Sequence, residues 1–187
     1  MNKPLAIAAA LAILLAIGGS AAFLGGKAPE PSRLSAGNGA VWAEVPWPFP
    51  LDQWGRGVAF RCKPIDCGSN INLYLRAKIG FCNCASEIDD DEVDRVGDTD
   101  LVGGERMALG AGRPLGVHGM QGRSRGYEIR GSVTVKSALT VAFHDRCDMI
   151  VATAALDNND PALQHDAVLD FLNSDLVLRW AETTLGL

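Results

Sequence analysis

Little in this sequence fixes a reaction. Its only histidines, His118, His144 and His165, stand far apart, and no C-x-x-C occurs, so the usual signatures of a zinc site and of a thioredoxin-like redox pair are both missing. Basic charge is not in excess: 17 Lys and Arg face 22 Asp and Glu, and a net charge of -5 argues against a surface that tracks nucleic acid. No repeat at solenoid periods is found. Gly110-Ala-Gly112-Arg-Pro-Leu-Gly116 misses the dinucleotide fingerprint by one residue and lacks a following Lys-Ser or Lys-Thr, which disfavours a phosphate cradle. With 187 residues, 48% of them hydrophobic, the chain is long enough for one domain with a core and too short for two comfortable ones.

What is present begins with an apolar leader. No charged residue falls between Pro4 and Gly26, Lys3 precedes the stretch, and Ser20-Ala21-Ala22 offers small residues ahead of Phe23. Residues 1–26 therefore read as a signal peptide or, if the helix carries through Leu24, as an anchor of about 20 residues, enough to cross roughly 30 Å of hydrocarbon. Residues 27–40, with Pro29, Pro31 and several Gly and Ser, read as a flexible tether, and 41–187 as a single exported domain. The expected location is the inner membrane facing the periplasm, through residues 4–24, or the periplasm itself if the leader is cleaved.

The domain reads as α+β, a small antiparallel sheet packed by C-terminal helices. Ile71 to Cys84 alternates apolar and polar residues at period two, and Tyr127 to Val135, Ala138 to His144 and Cys147 to Thr153 follow as hairpin strands with short polar joints. A helix opens with Asp160 as cap and Pro161 first, burying Leu163, Ala167, Val168, Phe171 and Leu172; a second runs from Asp175 to Thr183 behind Ser174. Trp42, Trp47, Phe49 and Trp54, interleaved with prolines, are expected to cover the domain's own core.

All five cysteines, Cys62, Cys67, Cys82, Cys84 and Cys147, follow the leader, so structural disulfides are expected. Cys82 and Cys84 lie two apart on a presumed strand, which points to separate partners: Cys62 or Cys67 with one, and Cys147 with the other or free. The alternative is a thiol-redox or soft-metal protein, with Cu or Zn held by Cys82 and Cys84 and completed by His144 and Cys147. His144 itself reads as a satisfied turn histidine beside a buried cysteine.

Two charge blocks adjoin. Glu87 to Glu105 holds nine carboxylates against Arg95 alone; no EF-hand register fits, and the stretch reads as a solvated acidic loop. Arg106 to Arg130 reverses the sign within a glycine-rich connection, giving Arg113, Arg123 and Arg125 as candidate contacts for an anionic or protein partner, unless they neutralise the neighbouring carboxylates. No residue is assigned a catalytic role and no cofactor is required. The expected function is that of an envelope accessory or binding protein.

Overall fold

In the computed structural model, residues 33–35, 39–80, 87–131, 135–157 and 161–186 are described, all within the unit Pro31–Leu187. The fold is α+β with an antiparallel sheet and C-terminal helices, as expected, but the sheet is not small: it has nine strands among the described residues. These are β1 (Arg33–Ser35), β2 (Val41–Val45), β3 (Val58–Cys62), β4 (Ile71–Lys78), β5 (Glu105–Ala108), β6 (Arg113–Val117), β7 (Met120–Arg130), β8 (Val135–Asp145) and β9 (Asp148–Leu156). Their order is β1-β2-β3-β4-β9-β8-β7-β5, with β6 also paired to β7. Three residues of the stretch read as tether thus belong to the sheet, whereas the apolar stretch 4–24 lies outside the described residues.

The helices α3 (Ala162–Leu172) and α4 (Asp175–Leu185) cover one face. They bury Val168, Phe171, Leu172, Val177 and Ala181 against Leu73, Leu75, Leu139, Val141, Phe143 and Ile150. Trp42 stacks on Phe171 at 4.5 Å between ring centroids and Phe60 meets the same ring edge-on at 4.8 Å, so the aromatics of β2 and β3 clamp α3 onto the sheet. Leu163, expected on the buried face, is instead exposed, and Gln164 takes the inward position. The helix begins at Ala162, so the residues that face the sheet recur as 164, 168 and 171 rather than from 163.

The opposite face carries a second cover. Here the acidic block is not a solvated loop: it forms α2 (Asp90–Val96), capped by Asp89 accepting from the Glu92 N–H at 2.7 Å, then a single 3-10 turn at Thr99–Val102. Val93 and Val96 pack on Ala142, Met149 and Val151, which supplies the apolar seam that a loop reading overlooked. Trp47 and Phe49 lean edge-on against Tyr74 on that same face of β4.

Candidate functional site

Strand alternation sorts the basic residues. Side chains on one strand point alternately to the two faces, and cross-strand partners share a face. On β7, Arg123, Arg125 and Tyr127 lie toward α2. Arg123 Nε is ion-paired with Asp90, and its Nη2 donates to the Gly112 carbonyl at 3.1 Å. Arg125 Nη1 donates to Asp94 Oδ2 at 2.8 Å, and the Tyr127 hydroxyl donates to Asp94 Oδ1 at 2.6 Å. Burial first, and then this bond to Asp94, push the phenol pKa well above its ordinary value. Gly112 completes the dock: its N–H donates to both Asp90 carboxylate oxygens at 3.0 Å, and a Cβ there would stand 2.5 Å from Asp90 Oδ1.

Farther along the same face, Arg76 and Lys78 of β4 are buried, only 3% and 5% exposed. Arg76 donates through Nε to Asp98 Oδ2 at 3.0 Å and through Nη2 to Asp98 Oδ1 at 2.5 Å; Lys78 reaches Asp98 Oδ1 at 2.9 Å and the Val96 carbonyl at 2.6 Å. Burial alone would lower the Arg76 pKa, but the bonds to Asp98 and Asp52 outweigh it and leave the group held more firmly charged. The acidic block is therefore paired across the sheet face by Arg123 and Arg125 of the basic block and by Arg76 and Lys78 of β4.

Arg113 has a different fate. The pairing Arg113↔Ser124 puts it with Ser124 on the face of α3, away from every carboxylate of α2. It is exposed and makes no ion pair among the described residues. Beside it lies a cleft of about 200 Å³ between β6, β7, β8 and the start of α3. Arg113, Ser124 and His165 are its polar groups, and Leu109, Leu139 and Pro161 its apolar ones. Ser124 Oγ and His165 Nε2 are 2.9 Å apart. His165 Nδ1 is 3.4 Å from Asp166 Oδ1, and the Asp166 side chain is almost wholly in solvent, so no buried carboxylate orients the imidazole. The ladders of β6 and β8 flank Ser124 on both sides and engage the strand's N–H groups, so the pair is better built to hold a ligand than to transfer an acyl group.

The β6–β7 connection is the reason the sequence offered Arg113 as a contact but not Ser124 and His165 beside it. Val117 pairs with Met120 across a two-residue turn, His118 and Gly119, both at positive φ, 48° and 81°. Tertiary contacts hold His118 in that conformation: its N–H donates to Asn173 Oδ1 at 3.0 Å and its Nε2 lies 3.1 Å from the Ser174 carbonyl. What reads as a glycine-rich loop is a hairpin. The dipeptide His118-Gly119 was the available signal, because a two-residue turn there dictates the partner of Arg113.

The cysteines are arranged differently from the expected pairing. Cys62 is bonded to Cys67, with Cα atoms 6.0 Å apart, rather than to Cys82 or Cys84. The cause is local: Pro64 starts the single turn α1 (Pro64–Cys67), which doubles the chain back on the end of β3. Cys147 is also disulfide-bonded, and it sits exposed in the β8–β9 turn, not buried at the start of a strand. Cys82 and Cys84 lie outside the described residues. His144 is on β8, and both its ring nitrogens are buried without a hydrogen-bond partner among the described residues, so it is not the satisfied turn histidine expected. It borders a second, open depression of about 630 Å³ together with His118, Gln121 and Glu182. Among the described residues no three His, Cys, Asp or Glu side chains are grouped as a metal site, and no helix is long and apolar enough to cross a membrane.

No protein-family model matches the chain, and no curated protein matches it. Among solved structures it is similar to LpqN, described as involved in cell envelope biogenesis of Mycobacterium tuberculosis, at 11% identity and a TM-score of 0.39, over 75% of this chain and 86% of that one. A likeness at that score leaves the functional reading to the residues themselves.

Proposed function

We propose that this chain is an exported envelope accessory protein that binds a partner or small anion and carries out no reaction on it. In this reading residues 4–24 hold it at the inner membrane facing the periplasm, or are cleaved to release it there. The observation that carries the reading is the state of the cysteines: Cys62, Cys67 and Cys147, all those among the described residues, are disulfide-bonded, and such bonds persist in oxidising compartments. The cleft beside the unpaired Arg113 supplies the binding site, since a solvated guanidinium next to apolar walls suits an anionic group.

The test is a pair of topology reporters fused after Leu187, one active only in the cytosol and one only beyond the membrane. Activity of the second alone is the expected result. Activity of the cytosolic reporter alone overturns the envelope assignment, and three or more titratable thiols in the native protein would remove its disulfide basis.

A further inference from the structure

We propose that the cleft at the start of α3 binds a short-chain carboxylate, its charged end on Arg113 and its aliphatic body against Leu109, Leu139 and Pro161. This rests on the reading of the chain as a binding protein and adds the chemical class of the ligand.

Four observations converge. Size comes first: the cleft offers about 200 Å³. That is below the range of about 300 to 1,000 Å³ typical of drug-sized ligands. Charge comes second. Of the arginines of β6 and β7, Arg123 and Arg125 are committed to Asp90 and Asp94, Arg130 pairs with Glu128, and the register leaves Arg113 over the cleft without an ion pair among the described residues. One planar guanidinium offers one fork of donors, which matches the two oxygens of a single carboxylate. A phosphate dianion calls for more cations than the cleft supplies, in a chain already at net -5. Third, the first turn of α3 also lines the cleft, and the positive end of its dipole adds to the same preference. Fourth, the remaining wall is apolar, and Leu109 is 44% exposed at the rim, so a methylene chain laid against it removes apolar surface from water. Inorganic anions would leave that surface uncovered. Ser124 and His165, bonded to each other at the base, give the bound oxygens a further polar neighbour.

Pentanoate fits this volume. The experiment titrates the full chain, in a non-ionic detergent, with sodium pentanoate, with pentanamide as the neutral analogue and with inorganic phosphate. The readout is the NMR shift of the His165 ring and of the leucine methyl groups. A saturable shift with pentanoate, at least tenfold weaker with pentanamide and with phosphate, is expected. Arg113→Gln should weaken pentanoate at least tenfold without moving the thermal midpoint, because the side chain is exposed and unpaired. Ala162→Leu, which adds volume at the helix start, should reduce binding with the fold intact. Equal affinity for pentanoate and pentanamide, or an unchanged affinity in Arg113→Gln, overturns the proposal. Tighter binding of phosphate overturns the carboxylate in favour of an inorganic anion. No saturable shift with any of the three removes this ligand class. The topology reporters are unaffected by that result, so loss of the ligand and loss of the envelope reading are distinguishable.

Discussion

At the scale of single residues, Asp98 has the largest consequence. It is 8% exposed and is the shared partner of two buried cations. Removing one member of such a set leaves the others charged and dry, which costs about 3 to 5 kcal/mol, far more than the 0 to 1 kcal/mol of an exposed pair. Asp98→Ala is therefore expected to lower the unfolding free energy by about 3 to 5 kcal/mol in urea titration. A cost below about 1 kcal/mol would mean that water reaches Arg76 and Lys78 in the folded protein. By contrast Arg130→Ala, at an exposed pair with Glu128, should be close to neutral. Composition and spacing revealed that Asp98 belongs to an acidic block. They did not reveal that its partners come from β4, 20 and 22 residues earlier, because that pairing exists only once the 3-10 turn docks on the sheet.

At the scale of elements, α2 is an acidic helix seated on a basic sheet face, and its docking responds to acid. The Asp90 carboxyl is held below its ordinary 3.8, chiefly by the Gly112 N–H and then by Arg123. Asp52 is also lowered: burial works the other way, but the bonds from Arg76 and the Trp54 N–H prevail. A group depressed in the folded state contributes its full stability above the unfolded value and loses it as pH falls through the folded one. Hence these two carboxylates leave stability flat between about pH 7 and 5 and make it decline below about pH 4. Denaturant unfolding at stepped pH should show a shallower acid limb for Asp90→Asn than for the parent, with the remaining slope shared by Asp52; identical limbs would refute the role given to Asp90. The C-terminal helices were legible from their apolar spacing, to within two residues at their ends. α2 was not, because its four carboxylates hide two valines, and a helix of seven residues is stabilised by packing and a cap far more than by its own propensity.

At the scale of the whole molecule, nine strands in one sheet form the division between two differently built faces, an apolar one under α3 and α4 and a charged one under α2. The short Cys62–Cys67 loop adds about 2 kcal/mol on the loop-entropy estimate. The double variant Cys62→Ala with Cys67→Ala should lower the unfolding free energy by about that amount, and adding reductant to that variant should cost less than adding it to the parent. If reductant shifts both midpoints equally, the bond between Cys62 and Cys67 is not the one that matters.

By itself the sequence determined the class of fold, most of β4 and β9 and the closing helices, since period-two and helical spacing are properties of local backbone geometry; the strand expected from Tyr127 to Val135 instead ends at Arg130, and the expected joint Lys136-Ser137 lies inside β8. It also determined which residues carry charge and that the cysteines follow an apolar leader. Only the tertiary structure decided what those residues do. A tight turn at His118-Gly119 sets the register of β6 on β7, and one residue of register decides which face an arginine occupies. That register leaves Arg113 beside Ser124 and His165, while the pairing of β7 with β8 turns Arg123 and Arg125 toward the acidic helix. The same holds for Cys62, whose bond to Cys67 follows from a single helical turn that spacing alone left open.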